Sequence, residues 1–187
     1  PLPRLEYRDA MDRFGTDRPD TRFGMEMKEI SDLAEHSDFQ VLKGVLQQGG
    51  VVKAICVEKG AGLFSRKALD EFSQLAVQAG AKGLMNAKIT VDGWQSSLDK
   101  FFKKEDKMAV NQRTGAAPGD LLLFVADKAS IVNSCIGKLR LELAKRLNLI
   151  KKEDYALFWV TKIPLLEYNE EEGRLESVHH PFTSPLE

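Results

Sequence analysis

The stretch Leu121–Ala126 reads Leu-Leu-Leu-Phe-Val-Ala and follows the turn-forming triplet Pro118-Gly119-Asp120. An unbroken apolar run of this length is typical of a strand that is buried on both faces of a sheet. The longest predicted helix comes next, from about Ser130 to Leu147, where apolar residues recur every three or four positions. A central strand followed by a long amphipathic helix therefore predicts the middle of a folded core.

Further strands and helices are predicted on both sides of this pair. Gly49-Gly50 separates two β-favouring runs and predicts a hairpin turn. Ser65 is placed to cap a helix that Gly80 ends. The other predicted elements before Leu121 are the strands Val41–Leu46, Val51–Val57 and Leu84–Val91, the helix 65–79, a short helix after Ser97, and a charged helix over 103–113.

The order of these elements from residue 29 to about 154 is β-β-α-β-α-β-α, which predicts the α+β class. We expect two layers, with a largely antiparallel sheet and helices on one face. Residues 29–154 are predicted to be one self-sufficient domain. Before it, residues 1–28 contain a predicted helix over Tyr7–Phe14 that ends at Gly15. After it, residues 155–187 return to β-type sequence and end in a predicted hairpin, which belongs with residues 1–28 if the middle domain is an insertion.

The charge balance limits the kinds of partner that the protein can bind. The 187 residues carry a formal net charge of −1, which excludes a global basic field for binding a polyanion. A basic group at Lys138, Arg140, Lys145 and Arg146 is interpreted as a solvated helix face.

Cys56 and Cys135 lie inside apolar runs and are predicted to be small buried hydrophobic residues rather than metal ligands. No apolar stretch is long enough for a membrane span, so a cytosolic location is expected.

One basic cluster is a candidate contact for nucleic acid. Its lysines, with Phe101 and Phe102 among them, are Lys100, Lys103, Lys104 and Lys107. Lysines contact phosphates, and aromatic rings can stack on bases. The alternative interpretation is that the phenylalanines belong to the core and the lysines form a solvated rim.

The densest group of chemically active side chains is His179-His180-Pro181-Phe182-Thr183. Adjacent side chains of an extended segment point to opposite faces, so His179 and His180 are poorly placed to bind the same metal ion. They could instead donate hydrogen bonds to an anion such as a carboxylate or phosphate. A purely structural role for the pair remains the alternative.

Three motifs, in the right order along the chain, resemble bacterial aspartyl-tRNA synthetases. The segment Phe158–Tyr168, continuing to His179-His180-Pro181-Phe182-Thr183-Ser184-Pro185, is similar to part of their catalytic domain. The opening Leu2–Tyr7, together with Arg13–Gly24, resembles the segment before their large insertion. Between the two, Asp92-Gly93-Trp94 and the stretch Pro118–Asp127 resemble the GAD domain, a module shared with a subunit of the tRNA-dependent amidotransferase.

The resemblance implies a fragment of a class II enzyme, with a GAD-type insertion at 29–154 flanked by strips of the catalytic domain at 1–28 and 155–187. The parent would be a cytoplasmic homodimer that activates aspartate with ATP and Mg²⁺ and transfers it to tRNA(Asp). His179 and His180 would lie beside the aspartate pocket. The ATP- and magnesium-binding motifs would lie outside this chain, so we expect the fragment alone to be inactive and to bind tRNA weakly or not at all. The insertion could bind the tRNA acceptor arm, bind a partner protein, or be a structural spacer.

Overall fold

The structure, a computed structural model, describes residues 2–151, 153–169 and 172–178. The helices are α1 (Tyr7–Phe14), α2 (Ser31–Glu35), α3 (Gln40–Gln47), α4 (Gly60–Leu63), α5 (Arg66–Gln78), α6 (Lys104–Thr114) and α7 (Ala129–Arg146), with a 3₁₀ turn at Asp99–Phe101. The strands are β1 (Arg4–Glu6), β2 (Lys28–Glu29), β3 (Val51–Val57), β4 (Met85–Thr90), β5 (Gly93–Gln95), β6 (Leu121–Asp127), β7 (Trp159–Thr161), β8 (Leu166–Asn169) and β9 (Arg174–Ser177).

A five-stranded sheet with the order β2-β3-β6-β4-β5 forms the centre of the fold, and every neighbouring pair is antiparallel. Strand β6 is the middle strand, and all seven of its residues are buried. It pairs with β3 along its whole length, from Val51 opposite Asp127 to Val57 opposite Leu121. The predicted α+β class, the antiparallel sheet and the central position of the Leu121–Ala126 run are confirmed.

Helices cover both faces of this sheet, which corrects the prediction that they lie on one face. On one side, Leu122, Phe124 and Ala126 of β6 pack in a cluster with residues of α2, α3 and α6. On the other side, Leu121, Leu123 and Val125 pack with α5 and α7. A central strand that is apolar from Leu121 to Ala126 needs a layer of side chains on each face, so the domain has three layers rather than two.

The predicted strand Val41–Leu46 is a helix, α3, so the predicted hairpin at Gly49-Gly50 is also wrong. Leu42 and Val45, three residues apart, are buried on one side, whereas Val41 is exposed. This spacing fits the 3.6-residue helical period better than the two-residue period of a strand. The two glycines instead make a tight turn from helix to strand. Gly49 has a φ of +76°, and a Cβ on Gly50 would come within 2.5 Å of a methyl group of Val45.

The other strongly patterned elements are confirmed. Helix α5 begins as predicted, with the hydroxyl of Ser65 accepting a hydrogen bond from the amide of Ala68 at 3.3 Å. Helix α1 ends at Gly15, which has a φ of +76° and donates its amide proton to the carbonyl of Met11. The turn at Asp92-Gly93 leads into β5, a strand that the sequence pattern did not predict.

The two ends of the chain lie together in the structure. Strand β1 pairs in parallel with β7, with Leu5 opposite Val160. Strands β8 and β9 form an antiparallel hairpin in the predicted region. Leu5 and its partner Val160 are 155 positions apart in the sequence, and all five strands of the central sheet lie between them. Among the described residues, no helix is long and apolar enough to cross a membrane.

Candidate functional site

The histidine pair His179 and His180 lies outside the described residues, which end at Val178. What the structure does describe is the hairpin that leads to it. The last described contact is a hydrogen bond of 3.2 Å from the amide of Val178 to the carbonyl of Leu165, which closes the open end of the β8–β9 hairpin. The chain direction at the entrance to the histidine pair is therefore fixed by backbone pairing.

Side chains also tie this hairpin to the start of the chain. The hydroxyl of Tyr7 donates a hydrogen bond of 2.7 Å to Oε1 of Glu167 on β8. Burial, together with the adjacent Glu167 carboxylate, raises the pKa of Tyr7 to about 12. Close by, Nζ of Lys162 lies 2.5 Å from Oε1 of Glu6, in a more exposed ion pair. The Tyr7–Glu167 hydrogen bond thus joins the hairpin to α1, and the Lys162–Glu6 pair joins the segment before the hairpin to β1.

The same flanking segments expose a set of large apolar side chains. Side chains of this kind are usually covered when they occur together, because each leaves apolar area in water. They lie on or next to β1, β7 and the β8–β9 hairpin, and they are Leu2, Tyr155, Leu157, Trp159, Leu165, Leu166, Tyr168 and Leu175. The flanking segments thus leave a large apolar surface in water.

A cavity of about 500 Å³ lies between the N-terminal residues and the segment 156–158. Three arginines line it, Arg4, Arg13 and Arg22, and the last two are already paired with carboxylates. The guanidinium of Arg13 donates two hydrogen bonds to Glu26, at 2.6 and 3.1 Å, and this pairing lowers the pKa of Glu26 to about 2. Arg22 pairs in the same way with Asp20 and lowers the pKa of that carboxyl. Because their charges are neutralised locally, Arg13 and Arg22 are poor receptors for a further anion.

The four candidate nucleic-acid lysines lie around the 3₁₀ turn and the start of α6. Lys100, Lys103 and Lys104 are exposed, whereas Nζ of Lys107 is held 2.6 Å from Oδ1 of Asp99. Three of the four are therefore open to an anionic partner.

The two phenylalanines within this lysine cluster belong mainly to the core. Phe102 is buried, with its ring 5.4 Å from that of Trp94. Phe101 is stacked on Phe39 at 4.7 Å, and Nζ of Lys100 lies 4.9 Å from its ring centre. Because these rings already have partners, they are not free to stack on bases. The structure thus supports the alternative interpretation for the phenylalanines.

The two cysteines lie in environments that keep their thiols protonated. Cys135 is buried in α7, and burial raises its pKa to about 11. Cys56 on β3 is partly buried, and burial together with the neighbouring Asp120 carboxylate raises its pKa to about 12. Because the thiolate is the reactive form, neither thiol is set up as a nucleophile at neutral pH. In the described part of the chain, no three side chains of histidine, cysteine, aspartate or glutamate are grouped so that they could hold a metal ion.

The structure also shows two buried cations that sequence reasoning missed. The prediction that Arg140 belongs to a solvated helix face is wrong, because only 1% of this residue is exposed. The prediction holds for Lys138, Lys145 and Arg146, which are exposed. Lys53, on the central part of β3, is 3% exposed. A signal for Arg140 was available, since it lies four residues after Ile136 and four before Ala144, on the edge of the apolar stripe.

Comparisons with known proteins agree with this architecture. Residues 42–136, about half of the chain, match the family described as the GAD domain. The whole chain is 47% identical to the aspartate–tRNA(Asp/Asn) ligase of Geotalea uraniireducens and 48% identical to the aspartate–tRNA ligase of Bacillus licheniformis, and it covers 31% of each. It is also 47% identical to the aspartate–tRNA ligase of Listeria monocytogenes, of which it covers 32%. The chain thus spans about a third of the length of these curated relatives, and by its central sheet and its sequence it belongs to the GAD domain family.

Proposed function

We propose that this chain is the internal part of an aspartate–tRNA ligase, an enzyme that activates aspartate with ATP and transfers it to tRNA(Asp). The observation that carries the proposal is that identity near 47% extends over all 187 residues, including both flanks, and is not confined to the GAD match. The parallel pairing of β1 with β7 supports it, because the two flanks meet as parts of one catalytic domain would. A cytoplasmic location and a homodimeric parent follow from this proposal.

In this proposal, ATP and Mg²⁺ are bound by parts of the parent enzyme outside this chain. Mg²⁺ requires several oxygen ligands in near-octahedral geometry, and ATP requires phosphate-binding groups. The isolated chain is therefore expected to show no ATP–pyrophosphate exchange above a buffer blank.

His179 and His180 are proposed to contact the aspartate substrate of the parent enzyme. The β8–β9 hairpin supports this proposal, because it directly precedes the pair in the chain and is held to α1 by the 2.7 Å hydrogen bond from Tyr7 to Glu167. A carboxylate substrate needs fixed hydrogen-bond donors, and imidazole rings supply them. The role of the rest of this chain would then be to hold that hairpin in place.

The test is made in the full-length parent enzyme with His179→Ala and His180→Ala. Loss of one hydrogen bond to a charged group costs roughly 1.5–3 kcal/mol, so each change should lower kcat/KM for aspartate about tenfold or more. The KM for ATP should change much less. His36→Ala is the matched control, because it removes the third histidine of the chain from an exposed position on the insertion. If both single variants keep wild-type aspartate kinetics, the pair has no substrate role.

A second candidate function is that the insertion contacts the tRNA acceptor arm through the exposed Lys100, Lys103 and Lys104. The observation that favours it is that all three cations are exposed and lie within five positions of the chain. With a net charge of −1, we expect the chain to bind tRNA weakly, if it binds at all, and to lose that binding steeply as salt is added.

The test of the second candidate is a fluorescence-anisotropy titration of labelled tRNA at low and moderate salt. The double variant Lys103→Glu and Lys104→Glu should abolish the binding. Lys67→Glu with Lys82→Glu introduces the same charge change at exposed positions elsewhere and should leave more of it. If the affinity changes neither with salt concentration nor with the Lys103 and Lys104 substitutions, this surface is not the tRNA contact. That result would favour a spacer or a protein-binding insertion.

A further inference from the structure

Arg140 on α7 reaches out of the insertion to the main chain of the N-terminal segment. Its Nε donates a hydrogen bond of 2.8 Å to the carbonyl oxygen of Met25. Its Nη2 donates to the carbonyl of Gly24 at 2.9 Å and to that of Asp20 at 3.3 Å. One buried guanidinium thus satisfies three main-chain carbonyls that lie more than 100 residues away in sequence.

Two phenylalanine rings of the same segment enclose this guanidinium. The central carbon of Arg140 lies 4.8 Å from the ring centre of Phe14 and 4.7 Å from that of Phe23, and both rings are buried. Burial lowers the pKa of Arg140 to about 10, so the group is still charged at neutral pH. The contact therefore combines charge-assisted hydrogen bonds with cation–π contacts in a site from which water is excluded.

Lys53 makes a second link of the same kind from the central sheet. Its Nζ lies 3.3 Å from the carbonyl oxygen of Asp12 and 3.4 Å from Oδ1 of the same residue, both at the end of α1. It also donates to Oδ1 of Asn133 on α7 at 3.0 Å. Two buried cations, one on the sheet and one on α7, thus hold opposite ends of the segment that runs from α1 to β2.

Between these links the two backbones touch directly. A Cβ on Gly15 would collide with the main-chain oxygen of Asn133, and a Cβ on Gly137 would lie 3.2 Å from the carbonyl oxygen of Phe14. Met27 is buried within the same core cluster as Val132 and Leu139. Helices α1 and α7 therefore pack at glycine-sized spacing, which leaves no room for sliding.

We propose that Arg140 and Lys53 lock residues 7–27 onto the insertion, so that this segment and the GAD-type domain form one rigid folding unit. The boundary at residue 29 stays a prediction from sequence, and in our proposal the unit begins at about residue 7. If the segment detached, the buried side chains of Ala10, Phe14, Phe23 and Met27 would enter water, and both cations would lose their carbonyl partners. The inference does not depend on the proposed ligase activity, because it concerns contacts within this chain.

The experiment is amide hydrogen exchange on the 187-residue chain with the substitution Arg140→Met, which keeps an apolar stem and removes every donor. The reporters in the N-terminal segment are the amides of Gly15 and Met27, which bond to Met11 and Arg13. The reporters of the core are the amides of the β3–β6 ladder. Loss of the lock should speed exchange in the segment roughly tenfold or more relative to the ladder.

Arg146→Met is the matched control. Arg146 is on the same helix, makes two ion pairs and lies 4.7 Å from the ring of Phe72, but all these partners are inside the insertion. It should not change the segment-to-ladder ratio. If Arg140→Met changes segment and ladder by the same factor, or changes neither, the proposal is wrong. Should that variant fail to fold, Arg140→Lys, which keeps the charge but loses the forked donors, must give the selective change, and its absence there overturns the proposal.

Discussion

The guanidinium of Arg13 and the carboxylate of Glu26 form a two-point hydrogen-bonded ion pair, with Nη2 2.6 Å from Oε1 and Nε 3.1 Å from Oε2. Arg13 is on α1, and Glu26 lies just before β2, so the pair closes the loop between these two elements. Lys28 adds a second cation 3.0 Å from Oε2 of the same carboxylate. This arrangement makes the N-terminal segment sensitive to acid.

We expect Glu26 to contribute to acid unfolding. Its folded-state pKa is lowered from 4.5 to about 2, mainly by the hydrogen bond from Arg13. The stability that it contributes is therefore complete above pH 4.5 and is lost as pH falls toward 2. Glu26→Gln should flatten the fall of the free energy of unfolding across this window, measured by urea denaturation at successive pH values. Glu58→Gln, at an exposed carboxylate, is the control; an equal flattening by both would contradict the assignment.

The link between Tyr7 and Glu167 predicts an effect at the alkaline end. Burial, and then the hydrogen bond to Glu167, raise the pKa of Tyr7 from 10.0 to about 12. Its contribution to stability is thus present below pH 10 and is lost as pH rises through about 12. Glu167→Gln should lower the pKa of Tyr7 part of the way back, which a carbon-13 NMR titration of the tyrosine ring reports. An unchanged titration in Glu167→Gln would mean that burial alone sets the shift.

A buried hydrogen bond predicts the effect of changing Asn111 on α6. The indole nitrogen of Trp94 donates to Oδ1 of Asn111 at 2.9 Å, and Trp94 is buried. Asn111→Ala leaves a buried donor without a partner, which costs roughly 1–3 kcal/mol. Gln112→Ala is the control at the next, exposed position and should cost much less. Equilibrium urea unfolding followed by circular dichroism measures both, and equal losses would argue against a role for the Trp94 contact.

The parts of the fold that could be predicted from sequence are those set by local pattern. The Leu121–Ala126 run and the stripe of α7 extend over many positions, so their period is unambiguous. The cap at Ser65 and the glycine at position 15 are local signals of the same quality. The run Val41–Leu46 was misassigned because a short apolar stretch fits both periods, and only the burial of Leu42 and Val45 resolves it.

Features set by contacts that are distant in sequence could not be predicted. The carbonyls that bind Arg140 are 115 to 120 residues from it, so its place beside the apolar stripe of α7 indicates burial but not these partners. The same holds for the pairing of β1 with β7 across the whole central sheet. For the candidate site, the sequence identified His179 and His180 as candidates, but they lie outside the described residues, and their role stays a prediction.

The last prediction concerns where the folding unit begins. If residues 7–27 belong to it, the segment 29–154 should be less stable than 7–154 by more than about 3 kcal/mol, because removing the partners of a buried cation alone costs about that much. Shortening at the other end, from 7–154 to 7–147, removes mainly exposed residues and should matter little. Urea unfolding followed by circular dichroism gives the three free energies.

A double substitution then distinguishes the loss of the Arg140 and Lys53 contacts from a general loss of stability caused by shortening the chain. Arg140→Leu with Lys53→Leu should destabilise 7–154, because both cations have their carbonyl partners there. In 29–154 those carbonyl partners are absent and Lys53 keeps only Oδ1 of Asn133, so replacing the two buried cations by apolar side chains should be neutral or stabilising. Opposite signs in the two backgrounds would demonstrate the coupling directly. If the double substitution destabilises both segments equally, or if 29–154 is as stable as 7–154, the proposal is wrong. The folding unit would then begin at residue 29, as the sequence pattern predicts.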